Sequence, residues 1–200
     1  MTVRRLVIGA VACAALLAGC ADDDNGGEGG TNDDGVPSTL LQRDDLPDVE
    51  KVTTDDRSIL TKTNCADMDG EYNLTITDSD DVSALYVLAD GDQVRSSLQG
   101  PAQNQTTVDH TLEQVDTAVT ACSAPGAATG TFARIEGLPE GAVGFRTVTD
   151  TSEGPQTTER AYAAADDDTA VVVTVDHVGE GEPAVTAAEL LPKALERAQG

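Results

Sequence analysis

A chain of 200 residues accommodates one folded domain together with processing and linker segments, but not two comfortable cores. Acidic side chains outnumber basic ones 36 to 12, a formal net charge of -24, and such a field repels nucleic acid phosphates. That argues against a DNA- or RNA-binding role and favours cationic partners. With three Tyr, two Phe and no Trp, the core is expected to rest on Val, Leu, Ile and Ala, and to benefit from a covalent staple.

In chain order, Arg4 and Arg5 form a charged start and Leu6 to Leu17 an apolar run. The run falls short of the ~20 residues that span a bilayer, so it reads as a signal peptide rather than a transmembrane anchor. Its end, Leu17-Ala18-Gly19-Cys20, resembles the lipobox of bacterial lipoproteins. That resemblance implies removal of residues 1–19, diacylglycerol on the Cys20 thiol, and attachment to the outer face of the cell membrane. Two or more acyl chains at about 0.8 kcal/mol per buried methylene give an anchor that hardly dissociates. An ordinary signal peptide cut elsewhere, with Cys20 incidental, is the alternative.

Residues 20–37 follow as a lipidated, acidic and glycine-rich linker, with Asp22, Asp23, Asp24, Asp33 and Asp34 and no apolar side chain larger than Val36. It is expected to be a flexible, self-repelling tether. Asp22-x-Asp24 has the rhythm of a calcium loop but lacks the spacing to a terminal bidentate Glu.

Residues 38–200 are expected to be a single globular domain. "STLLQRDDLPDV" predicts a short helix or turn, and "EYNLTIT" (71–77) alternates like a half-buried strand. "VSALYVLA" (82–89) predicts another strand, Asp90-Gly91-Asp92 a turn, and "QVRSSLQG" the return of a hairpin. Between Thr106 and Cys122, residues Val108, Leu112, Val115, Val119 and Cys122 recur at intervals of 4, 3, 4 and 3, the stripe of an amphipathic helix. Thr106 and Asp109 supply its capping start, and Pro125-Gly126 its end. Strands are expected at 130–137, 142–150, 157–165 and 169–178, the last with a Val171-Val172-Val173 run suited to a position covered on both faces. Thr186-x-x-Glu189 is a capping box for a final helix to about 198, its early turns made irregular by Pro192. Runs of strands with short turns predict an α+β fold: a mainly antiparallel sheet with two main helices (about 106–122 and 186–198) on one face.

Removing Cys13 with the signal and capping Cys20 leaves Cys65 and Cys122. In an oxidising compartment these are expected to form a disulfide closing a loop of about 58 residues; a pair of free thiols is the alternative, without a CxxC or basic neighbourhood to activate it.

Chemistry is sparse. His110 shares a helix face with Asp109 and Glu113, but one His/Glu pair without a further spaced ligand reads as a solvated surface rather than a metal site. Asp176-His177 could be the orienting half of a triad, yet no G-x-S-x-G elbow accompanies it and strand neighbours point to opposite faces. The Gly26–Gly30 run lacks the strand, helix and Lys-Ser/Thr of a phosphate loop. No cofactor or metal is expected, and the balance is against an enzyme.

The lipobox, the acidic linker, the opening "LLQRDDLP", the helix ending in Cys122 and the valine-rich strand before a C-terminal helix together resemble actinobacterial exported lipoproteins. Over residues 38–199 the order of elements is similar to the extracellular sensor domains of PknH-like Ser/Thr kinases and their free-standing lipoprotein relatives. The resemblance implies an α+β domain with a cleft for a ligand or an envelope component; the kinase domains carry two disulfides where this chain offers one. The expected function is a membrane-anchored binding or sensing module with an unknown small-molecule, lipid or envelope-protein ligand. A hydrophobic-ligand carrier is the alternative, followed by a cell-wall hydrolase.

Overall fold

The computed structural model describes residues 31–55, 63–71, 82–101 and 106–200. The expected signal peptide, Cys20 and most of the strand expected at 71–77 lie outside them.

Seven strands form one antiparallel sheet: β1 (Val49–Asp55), β2 (Val82–Leu88), β3 (Gln93–Gln99), β4 (Thr131–Arg134), β5 (Val143–Thr151), β6 (Gly154–Ala164) and β7 (Ala170–Val178). Their spatial order is β1-β2-β3-β7-β6-β5-β4, two meanders joined where β3 lies beside β7. Helix α1 (Ala66–Glu71) precedes β2, α2 (Val108–Cys122) links the meanders, and α3 (Ala187–Gln199) ends the chain. The α+β expectation holds in this form. The β2–β3 turn sits where Asp90-Gly91 predicted it, with Gly91 at φ +94, a conformation that favours glycine.

The two main helices do not share a face. α3 packs with Ala161, Ala163, Val171, Val173 and Val175 on one side of the sheet, while α2 packs with Val143, Phe145, Tyr162, Ala170 and Val172 on the other. The period of two in β7 explains this: Val171 and Val173 enter one core and Val172 the other, so both faces need a cover. The valine run predicted that need; placing both helices on one face was the error.

Local signals explain the helices. Thr107, not Thr106, caps α2, its hydroxyl accepting from the His110 N–H. The stripe Val108, Leu112, Val115, Val119 and Cys122 is buried as the spacing required. In α3 the capping box forms as read: Thr186 Oγ1 accepts from the Glu189 N–H at 3.2 Å and Glu189 Oε2 accepts from the Thr186 N–H at 2.9 Å. Pro192 lies inside the helix, which tolerates it while burying Leu190, Leu191 and Ala194.

Folded structure begins before residue 38. Asn32 Oδ1 accepts from the N–H groups of Asp34 and Val36, and Val36 is fully buried with Leu40 and Leu41 against the α3 side of the sheet. Val36 thus belongs to the packed core, while Thr31 and Asp33 to Gly35 stay exposed. One valine sufficed because Leu40 and Leu41 extend its contact, and the segment is tied down by the Tyr86 hydroxyl donating to the Leu41 carbonyl and the Leu41 N–H donating to Ser96 Oγ. Few as the aromatics are, Tyr86, Tyr162 and Phe145 are the largest fully buried side chains, so the core is less purely aliphatic than composition implied.

Candidate functional site

Cys65 and Cys122 are joined in a disulfide, with Cα atoms 5.9 Å apart and a sequence separation of 57. It pins the start of α1 to the end of α2, and Met68 of α1 is buried in the same core. Cys65, Asp67 and Cys122 bring three potential metal-ligating groups close together, but the two sulfurs are bonded to each other and only the carboxylate remains.

His110 Nδ1 lies 3.6 Å from Glu113 Oε2 on the exposed face of α2, the solvated pair expected there. That face lines an open depression of about 650 Å³ with Asp109, Glu113, Asp116 and residues Gly141 to Val143. A second open depression, of about 510 Å³, lies beside α3 at Pro139, Pro192 and Leu195.

Asp176 and His177 face opposite sides of the sheet, so they are not a couple. His177 instead pairs with Asp92 of the β2–β3 turn, Nδ1 lying 2.6 Å from Asp92 Oδ1, while Asp92 Oδ2 accepts from the Ala184 N–H at 2.8 Å. Buried Asp92 thereby ties the turn, the end of β7 and the approach to α3 together. Sequence reasoning marked Asp92 only as a turn residue, because its partners lie 85 and 92 residues away. Nε2 of His177 is buried and has no hydrogen-bond partner among the described residues. With Nδ1–H donated to Asp92, Nε2 would be a bare acceptor; no described hydroxyl or thiol is in place to use it as a base.

Asp176 belongs to the α2 side of the sheet, which has two unlike halves. Under α2 it is apolar. Across β3, β7 and the adjoining part of β6 it carries Arg95, Ser97, Gln99, Thr158, Arg160, Thr174 and Asp176, of which all but Asp176 are buried. The antiparallel register builds the arrangement: Arg95 and Arg160 each pair with Thr174 from either side, and Thr158 pairs with Asp176 in the next row. With neighbouring strands ~4.8 Å apart, the two arginine Cα atoms lie about 10 Å from each other, one on each side of Thr174. Arg160 Nε donates to Thr174 Oγ1 at 3.2 Å, and its guanidinium carbon lies 5.7 Å from the centroid of the Tyr162 ring. Arg95 Nη1 donates to Ser83 Oγ at 3.2 Å, and the Thr158 hydroxyl donates to Asp176. Gln99 Nε2 donates to Ser97 Oγ, leaving buried Gln99 Oε1 without a partner among the described residues.

Burial raises the Asp176 pKa above its ordinary value of 3.8, opposed by the Thr158 hydroxyl and by the charges of Arg160 and Arg95. A raised carboxyl pKa means that the folded chain binds the proton more tightly than the unfolded one. Stability then falls as pH rises from 3.8 through the raised value, and the loss is complete above it. Asp176→Asn, which keeps an oxygen for Thr158, is expected to match or exceed the wild-type Tm at pH 7, with the gap closing toward pH 4. Thermal melts of both proteins across that range check it; a lower Tm for the variant at pH 7 would contradict it.

No family model, curated protein or solved structure matches the chain. No described helix is long and apolar enough to cross a membrane.

Proposed function

We propose that this protein is a lipid-anchored, non-catalytic binding or sensing module on the outer face of the cell membrane, exported by its N-terminal signal and held by acyl chains on Cys20. The observation that supports it most is the polar half of the sheet face, where charged and hydrogen-bonding side chains are buried on three central strands. Burying such groups costs free energy unless they are fully paired, so a fold retains them at a site more readily than as structural filling. The reading also accords with the resemblance of residues 38–199 to the extracellular sensor domains of PknH-like kinases, whose cleft is taken to face a ligand.

Two measurements test it. Cys20→Ser is expected to release the protein from the membrane fraction into the soluble one, and unchanged retention would overturn the anchor. For binding, the purified wild-type protein is screened by thermal shift against small molecules of positive, zero and negative charge, alongside organic extraction and mass spectrometry of the native preparation. A binding module gives a saturable stabilisation that substitutions on the polar face weaken. Co-purified acyl ligand would favour a carrier instead, and no binder of any charge would overturn the reading.

A further inference from the structure

Cys65 stands immediately before α1, Asp67 is the second residue of that helix, and Cys122 is the last residue of α2. The two sulfurs and a carboxylate oxygen of Asp67 all fall within 4.8 Å of one another. Each cysteine is only 1% exposed whereas Asp67 is exposed, so the group has a closed side and an open one. A disulfide sulfur has no proton to donate, and among the described residues the Asp67 carboxylate makes no hydrogen bond or ion pair. While the pair is oxidised, the carboxylate gains nothing from standing beside it. Reduction changes the chemistry. Two thiols that lose their protons set two soft anionic donors beside a carboxylate, a combination suited to Zn²⁺ rather than to the hard cations Ca²⁺ and Mg²⁺. Bonds of ~2.3 Å to sulfur and ~2.1 Å to oxygen place tetrahedral ligand atoms about 3.6–3.8 Å apart, within reach of side-chain rotation once the S–S bond is open.

We propose that Cys65, Asp67 and Cys122 form a redox-gated Zn²⁺ site, shut as the disulfide and opened by a dithiol reductant, with water completing the coordination on the exposed side. The dithiol gives two electrons and two protons to the S–S bond and leaves as its own disulfide. Zn²⁺ then displaces both thiol protons to solvent. Bound there, the metal would join the start of α1 to the end of α2, the same two places that the disulfide joins. Because the six-residue α1 is too short to persist alone, metal binding is coupled to its docking. The inference stands independently of the binding-module reading.

The test uses the full chain carrying Cys13→Ser and Cys20→Ser, which leaves Cys65 and Cys122 as its only cysteines. It is titrated with Zn²⁺ or Co²⁺, oxidised and after reduction by a water-soluble phosphine, which ends as its oxide with oxygen taken from water. Excess Ca²⁺ occupies the surface carboxylates of a chain of net charge -24. The reduced chain is expected to bind one equivalent at least a hundredfold more tightly than the oxidised chain, and Co²⁺ to show the near-ultraviolet charge-transfer absorption of thiolate ligation. Zn²⁺ is expected to raise the Tm of the reduced chain toward that of the oxidised one. Asp67→Asn, an exposed substitution that spares the disulfide, is expected to weaken Zn²⁺ at least tenfold.

The assignment is overturned if reduced and oxidised chains bind Zn²⁺ equally, if Co²⁺ shows no thiolate absorption, or if Asp67→Asn leaves the affinity unchanged. Should reduction unfold the chain, Zn²⁺ is expected to restore its native circular dichroism, and failure to do so also overturns the assignment.

Discussion

Replacing Cys65 and Cys122 together by alanine is expected to destabilise the protein by about 4 kcal/mol, the chain-entropy value for a closed loop of this length. The effect acts first on the unfolded chain, which gains the freedom the crosslink denied it. It has a local side too. The six-residue α1 is too short to persist through its own hydrogen bonds, and the disulfide at its start fixes it beside α2. Met68 would lose its hold in the core along with it. For a domain of this size the loss corresponds to a fall in Tm of roughly 8–16 °C. Urea denaturation of the double variant, and of wild type with and without reductant, measures it; a difference under about 1 kcal/mol would show that packing alone positions α1.

Glu159→Ala carries the next largest expected cost, about 3 kcal/mol. Glu159 is buried on the α3 side of the sheet, where its Oε2 accepts from the Ala187 N–H at 2.8 Å, at the first residue of α3. Its Oε1 lies 3.6 Å from Arg146 Nη1, which also reaches exposed Glu182. A carboxylate at a helix N-terminus satisfies an unpaired donor and meets the positive end of the helix dipole. Truncation removes both effects and leaves a buried N–H without a partner. Glu159→Gln keeps the accepting oxygen and should cost about 1 kcal/mol, the charge part alone. Equilibrium unfolding of the two variants separates the contributions, and equal losses would mean that the hydrogen bond to α3 contributes nothing.

Periodicity carried most of the fold. The α2 stripe, the capping box of α3 and the β2–β3 and β5–β7 strands all follow from spacing, because a repeating buried face imprints itself on sequence. Three features escaped. β1 (VEKVTTD) has too little apolar alternation to mark an edge strand, and among the described side chains of α1 (ADMDGE) only Met68 is buried. Val36 looked like part of a linker because its burial depends on Leu40 and Leu41 arriving beside it.

The candidate site was less legible for a reason that applies to every residue in it. In β3 the alternation of Val94, Ser96 and Leu98 with Arg95, Ser97 and Gln99 is the ordinary pattern of a strand with one wet face. Sequence gives the period, but it cannot say that the polar side is enclosed as well. Arg160 was similarly hidden in "TTERAYAAA", where a lone arginine among small residues reads as a surface charge. Asp176 and His177 drew attention only because they are adjacent, and adjacency in a strand is what separates them.

The seam between the two meanders has a kinetic side. Within each meander the strands that pair are consecutive in the chain, but β3 meets β7 only by closing a chain segment of about 80 residues, the slow kind of contact in folding. Arg95 stands on one side of that seam and Arg160 on the other, with Thr174 at the junction. The two guanidiniums therefore become neighbours only when that long-range contact forms. A molecule with both meanders formed but undocked would hold most of its hydrogen bonds and lack the polar row that spans the seam.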